Sequence, residues 1–320
     1  MKGKNHIRIG TRGSALALWQ TDHISNELRR MYPGLVIEKT IIKTTGDIIL
    51  DSPLSRIGDK GLFTKEIEKA MLDGKIDLAV HSMKDVPTVL AEGLTIGLVT
   101  PREDVRDVFI AHPGKSYKSL AEVRNGGKIA TGSLRRKSQL LHFRQDFVPM
   151  DIRGNLNTRR KKLEESDWDG MLLARAGVIR LGWEELITEI LDVDIMLPAV
   201  GQGALAVEIR EDDRELASLI QPLEDLATRR AVEAERALLR TLEGGCQVPI
   251  GAYARHDGDV LRMDAVVGSL DGQRMIRDRI EGDPADAHQL GEKLADMLRK
   301  QGADSILAEI RASGEKDAES

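Results

Sequence analysis

The chain has 320 residues, more than one minimal hydrophobic core needs and enough for two or three domains of roughly 100 residues each. Lys and Arg total 47 against 52 Asp and Glu, a formal charge of −5, which excludes a molecule drawn as a whole to nucleic acid or an anionic membrane. A single cysteine, Cys246, excludes an internal disulfide framework and a cysteine-rich zinc site, and 3% aromatic content leaves little material for base-stacking platforms.

In chain order, Met1 to Gly10 has no apolar core of a secretory signal, and no apolar run approaches the roughly 20 residues that span a bilayer. A cytoplasmic protein with no membrane partner is expected. His6 to Gly10 reads as a strand, and Ala15 to Met31 as a helix on the spacing of Leu16, Trp19, His23 and Leu28, stopped by Tyr32-Pro33-Gly34. Leu35 to Ile42 is a β-branched strand, whereas Thr44 to Lys60, with Gly46, Pro53 and Gly58, reads as a loop long enough to be a lid. Phe63, Ile67, Ala70 and Met71 predict a helix ended by Asp73-Gly74, followed by a strand over Ile76 to Met83. After Pro101 strands recur near Lys128 to Thr131, Phe147 to Ile152 and Gly170 to Ala174, separated by helical stretches. Leu197 to Gly203 is a turn, Ala204 to Ile209 a strand, Leu223 to Glu243 a helix, and Val248 to Ile280 three strands before a helical end. The alternation implies an α/β protein with two largely parallel sheets and a smaller α+β unit. The expected domains are 1–101 with 204–222, then 102–203, then 223–320.

Charge is locally uneven. Between Lys128 and Lys162 ten cationic side chains face only Asp146 and Asp151. Arginine dominates that cluster, and its planar fork suits carboxylate or phosphate, although charge alone does not separate an anion site from a solvated basic face. Position adds information: Thr131-Gly132-Ser133-Leu134-Arg135-Arg136 falls where a strand meets a helix, and Arg153-Gly154-Asn155 repeats the arrangement at the next strand end. His81-Ser82-Met83-Lys84-Asp85-Val86-Pro87 closes another strand with an ammonium beside a carboxylate, either a site or an exposed ion pair in a turn, with His81 read as a structural hydrogen-bonding residue. Cys246 sits in Gly244-Gly245-Cys246-Gln247-Val248-Pro249 after a helix carboxyl end, where the dipole disfavours a thiolate nucleophile and leaves a buried filler or an attachment point. G-x-x-x-x-G-K-[ST], H-E-x-x-H, G-x-S-x-G and CxxC motifs are all missing from the sequence.

Taken in order, Thr11-Arg12-Gly13-Ser14-Ala15-Leu16-Ala17, Lys60-Gly61-Leu62-Phe63-Thr64-Lys65-Glu66, the His81 to Pro87 segment, Ser133-Leu134-Arg135-Arg136, Arg153-Gly154-Asn155, Pro198-Ala199-Val200-Gly201-Gln202-Gly203 and the Cys246 segment resemble the porphobilinogen deaminase (hydroxymethylbilane synthase) family over nearly the whole chain. The resemblance implies a transferase of tetrapyrrole and heme biosynthesis that condenses four porphobilinogen molecules head to tail, releases ammonia and yields hydroxymethylbilane. It implies one dipyrromethane cofactor per chain, joined by a thioether to Cys246, as primer. Two doubly wound lobes like those of two-lobed anion-binding proteins follow, with the strand from Ala204 returning to the first lobe and the loop around Gly46 to Lys60 over the cleft. Asp85 matches the catalytic carboxylate. Ser82, Lys84, Asp85, Thr131, Ser133, Arg135, Arg136 and Arg159 match cofactor-binding positions, and Arg12, Ser14, Phe63, Arg153, Arg180 and Gln202 match those for substrate or the growing polypyrrole. No metal and no nucleic acid are implied, and a monomer is expected. Each pyrrole carries an acetate and a propionate, so the bound chain would be a polycarboxylate. Gly132 departs from the family pattern, where many relatives carry a second hydroxyl. The competing reading is a non-catalytic two-lobed receptor for small carboxylates, which would need no tethering cysteine.

Overall fold

The computed structural model describes the backbone of residues 4–48, 61–242 and 248–319. The chain opens with β1 (His6–Thr11), α1 (Ala15–Met31), β2 (Val36–Ile41), α2 (Thr45–Ile48), α3 (Lys65–Leu72), β3 (Leu78–Ser82) and β4 (Leu94–Val99). There follow β5 (Asp107–Ala111), β6 (Lys128–Ala130), α4 (Leu134–Phe143), β7 (Val148–Met150), α5 (Leu156–Glu164), β8 (Gly170–Ala174), α6 (Arg175–Arg180) and β9 (Glu189–Ile190). The last third holds β10 (Leu205–Arg210), α7 (Arg214–Ile220), α8 (Leu226–Thr241), β11 (Ile250–Asp257), β12 (Val260–Gly268), β13 (Met275–Gly282), α9 (Ala287–Lys300) and α10 (Ala303–Glu319).

Among the described residues the chain forms two compact units, one holding the chain as far as Glu103 together with Gly203–Arg229, the other Asp104–Gln202 together with Arg230 onward. The first unit has a five-stranded sheet in the order β2-β1-β3-β10-β4. β1 pairs in parallel with β2 and β3, while β10 pairs antiparallel with both β3 and β4, so one returning strand is reversed among four that share a direction. The strand after Ala204 therefore inserts between elements separated from it by more than a hundred residues. β3 is buried along nearly its whole length, as expected of a central strand covered on both faces. Ile7, Ile9, Leu78, Leu98, Val207 and Ile209 form its core with Ile24 and Leu28 of α1.

Ser14 caps α1, its Oγ accepting from the Ala17 N–H at 3.3 Å. The buried stripe of α1 is Ala17, Gln20, Thr21, Ile24, Ser25 and Leu28, so of the apolar spacing read from the sequence only Leu28 faces the core. Trp19 and His23 instead stack on each other outside, rings 5.2 Å apart and 6° from parallel. Half of the inner face is polar, Gln20, Thr21 and Ser25, which a spacing of large apolar residues does not reveal. Thr45–Ile48 also differs from the expected loop by forming a helical turn. The rest of the expected lid, residues 49–60, lies outside the described residues, as does Cys246.

The second unit repeats the pattern: β7-β6-β8-β5-β9, with β6 parallel to β7 and β8 and β5 the reversed strand. Its other sheet is the antiparallel meander β11-β12-β13, covered by α9, whose buried stripe is Ala287, Leu290, Gly291, Leu294, Ala295 and Leu298. Gly291 is required there, because a Cβ would come 2.1 Å from the Ala234 carbonyl oxygen of α8. Glu235 of α8 is fully buried and accepts from the Gly201 N–H at 2.7 Å and the Ala254 N–H at 2.8 Å, tying the Pro198 to Gly203 turn to β11. The architecture is two mixed α/β lobes and a smaller C-terminal α+β domain.

Candidate active site

In each large sheet the carboxyl ends of parallel neighbours open onto one edge, the position where α/β proteins build sites. In the first unit that edge carries the residues after β1, Arg12 and Ser14, and those after β3. Ser82 ends β3 with its Oγ accepting from Gln20 Nε2 at 2.7 Å, and Met83–Asp85 form a single 3-10 turn. His81 is buried with Nε2 3.1 Å from Glu208 Oε2, a partner within the fold. Burial pushes the neighbouring Glu68 carboxyl up. Lys84 and Asp85 are half-buried, and among the described residues the Asp85 carboxylate has no hydrogen-bond or ion-pair partner, so it is not half of an exposed ion pair. Arg12 lies over the Phe63 ring, its guanidinium carbon 4.2 Å from the centroid, and is paired with Asp47.

In the second unit the edge gathers the ends of β6, β7 and β8. Ser133 caps α4, its Oγ 3.5 Å from the Arg136 N–H, while its own N–H donates to Thr131 Oγ1 at 3.2 Å. Gly132 has a local reason in this chain: a Cβ would stand 2.5 Å from the Ile152 carbonyl oxygen. Gly154, at φ 107°, turns the chain from β7 into α5, where Asn155 caps the helix and Arg159 Nε donates to the Gly154 carbonyl at 2.9 Å. Arg135 and Arg136 both reach the wholly buried Asp107 at 2.8 Å, and Gln202 Nε2 donates to the same carboxylate at 2.8 Å. Burial alone would push the Asp107 carboxyl up, but the two guanidinium groups hold it far below the usual carboxylate range. One carboxylate against two guanidinium groups leaves a buried positive charge uncompensated, an arrangement that is costly without an anion.

Arg153 makes the same point alone. It is only 9% exposed, its Nη1 is buried without a hydrogen-bond partner, and among the described residues no carboxylate pairs with it. Burial pushes its pKa down, with Asp151 opposing, yet an arginine so shifted remains a cation at neutral pH. Nε of Arg135 and of Arg136 are likewise buried and without a hydrogen-bond partner among the described residues. Unsatisfied buried N–H groups on cations fit a polycarboxylate, so the residues present suit a dipyrromethane with its acetate and propionate arms.

Residues 7–218 match the family described as porphobilinogen deaminase, dipyromethane cofactor binding domain, and residues 229–300 match its C-terminal domain. The chain belongs to the porphobilinogen deaminase family. Curated relatives of that name are 54% identical over 312 residues in Chlorobium phaeobacteroides and 52% over 311 in Chlorobaculum parvum, each match covering 96% of this chain and 99% of the relative. Among solved structures, the periplasmic aliphatic sulphonate binding protein SsuA from Escherichia coli matches at 18% identity and a TM-score of 0.39, over 75% of this chain and 71% of that one, and adds nothing to the assignment. As a porphobilinogen deaminase the chain is a transferase that condenses four porphobilinogen molecules on a dipyrromethane, one per chain. The receptor alternative is not favoured. No helix among the described residues is long and apolar enough to cross a membrane.

The first edge thus brings together Arg12, Ser14, Phe63, Ser82, Lys84 and Asp85, and the second Thr131, Ser133, Arg135, Arg136, Arg153, Arg159 and Gln202, while Arg180 stands at the far end of α6. Asp47 and Asp107, which hold Arg12 and the Arg135–Arg136 pair, were not singled out from the sequence. Asp107 leaves a trace there, a lone acid opening the apolar run Val108 to Ala111, whereas Asp47 acts on a partner 35 residues away and leaves none.

Proposed function

We propose that Asp85 is the catalytic carboxylate and Cys246 the cofactor attachment point, and that Ser82, Lys84, Thr131, Ser133, Arg135, Arg136 and Arg159 hold the cofactor. Arg12, Ser14, Phe63, Arg153, Arg180 and Gln202 bind the substrate or the growing polypyrrole. When bound, the dipyrromethane supplies the free pyrrole carbon to which the first porphobilinogen is joined. As ammonia leaves the substrate's aminomethyl group, positive charge spreads over the substrate pyrrole, and the Asp85 carboxylate, without a partner among the described residues, stabilises that charge and assists proton transfer. The guanidinium groups fix ring carboxylates in place by bidentate hydrogen bonds, which orients each ring for the next addition.

The observation that carries this reading is Arg153, a buried guanidinium whose Nη1 has no hydrogen-bond partner among the described residues. Arg153→Leu is expected to lower turnover by about 10- to 100-fold while the primer stays attached, because a shape-filling apolar side chain preserves packing but removes the carboxylate anchor. Intact mass together with product formation reads both effects; normal elongation kinetics in the variant would remove Arg153 from its role. With this reading go three domains, 1–101 with 204–222, 102–203 and 223–320, supported by three separate sheets. A cytoplasmic monomer without nucleic-acid partners completes it, supported by the single cysteine and the acidic balance.

A further inference from the structure

Arg12 is held from two directions. Its Nε lies 3.1 Å from both carboxylate oxygens of Asp47, its Nη2 donates to Oδ1 of the same group, and Phe63 lies beneath the guanidinium plane. Asp47 is itself fixed, because Thr44 Oγ1 donates to its Oδ2 at 2.8 Å. Burial would raise its pKa, but the hydrogen bonds from Arg12 and Thr44 hold it below the usual carboxylate range, so it stays an anion. The short turn that carries Asp47 is anchored in turn: the Thr45 N–H donates to Glu66 Oε1 at 2.9 Å and the Gly46 N–H to the Leu62 carbonyl at 2.9 Å. A Cβ on Gly46 would come 2.2 Å from the Phe63 ring, so the ring packs directly on the turn's backbone.

A guanidinium offers five N–H donors in a rigid fork. Asp47 takes the Nε/Nη2 edge, and no described residue takes up Nη1, which leaves the Nη1/Nη2 edge for a second carboxylate. We propose that Asp47 is a positioning residue that locks Arg12 with this remaining edge presented to a carboxylate of incoming porphobilinogen. The proposal rests on Arg12 being a substrate arginine, as read above. Its sign separates it from simple electrostatics: an anion beside a site for a dicarboxylate should weaken binding, so removing it should lower KM if charge alone mattered. Orientation predicts the reverse.

The test is steady-state kinetics with porphobilinogen on holoenzymes of Asp47→Asn, Asp47→Glu and Arg12→Gln, with cofactor loading checked by intact mass and folding by thermal unfolding. Asp47→Asn is expected to raise KM about tenfold, a larger change than in kcat, because a carboxylate-binding group displaced by a fraction of its reach loses its oriented contact. Asp47→Glu should recover part of the loss, and Arg12→Gln should raise KM at least as much as Asp47→Asn. If Arg12→Gln raises KM while Asp47→Asn leaves it unchanged or lowers it, the positioning role is overturned and Arg12 keeps its own. If neither variant moves KM, the assignment of Arg12 falls as well. Should Asp47→Asn fail to fold, Thr44→Val removes only one donor to Asp47; a smaller rise in KM is expected, and an unchanged KM counts against the proposal.

Discussion

A half-buried carboxylate usually finds a hydrogen bond or a cation, and Asp85 has neither among the described residues. The group is therefore available to a cationic transition state, where a neutral amide of the same shape is not. Asp85→Asn should keep the fold and cut turnover by about 100-fold or more, the range seen when a group aimed at developing charge is removed; near-normal turnover in a sequence-verified protein would take Asp85 out of the chemistry. Residues such as Asp85, Arg153 and Arg136 were legible because they stand in long, unusual segments at strand ends. Asp47 and Asp107 were not, since each acts on a side chain brought near only by the sheet. Cys246 stands out in the sequence as a lone thiol in a glycine-rich segment, but it lies outside the described residues, and its attachment role is the proposal made above.

Most elements could be read from strand and helix periodicity, including α1 over Ala15–Met31 and the strand after Ala204, whose return to the first lobe was implied by the family resemblance. β4 (Leu94–Val99) and β5 (Asp107–Ala111) were not singled out, and their pairing partners, β10 and β8, come from far along the chain. The inner face of α1 was misread because it sets Ile24 and Leu28 among small and polar residues, Ala17, Gln20, Thr21 and Ser25, to which a search for large apolar spacing gives no weight. Elements are also held at their ends by ion pairs. Asp77, just before β3, receives the Arg8 side chain at 3.1 Å, the Arg8 N–H at 2.8 Å and Arg210 at 3.4 Å. Burial opposes its ionisation, but the Arg8 hydrogen bonds and Lys4 lower its pKa to about 2. A folded-state pKa below the unfolded one stabilises the protein above about pH 4 and loses that contribution as pH falls toward about 2. Asp77→Asn should lower stability by about 1–2 kcal/mol at neutral pH, discounted for partly exposed partners, and should flatten the acid limb of a urea-unfolding series. Parallel pH profiles for the two proteins would show that the ion pair contributes nothing.

At the scale of the whole molecule, a net charge of −5 conceals the ten-to-two excess of cations between Lys128 and Lys162. Folding sharpens that excess: Arg135, Arg136 and Arg153 are buried, and Asp107 neutralises only one of the first two. A chain that is acidic overall thereby keeps a local cationic surplus suited to a polycarboxylate. The central claim is that this one chain carries one primer through its one thiol. Intact-mass measurement of the purified protein tests it most directly. The wild type should exceed its polypeptide mass by one dipyrromethane, and Cys246→Ser should lose both that increment and turnover; an unmodified, folded Cys246→Ser protein that still converted porphobilinogen to product would contradict it.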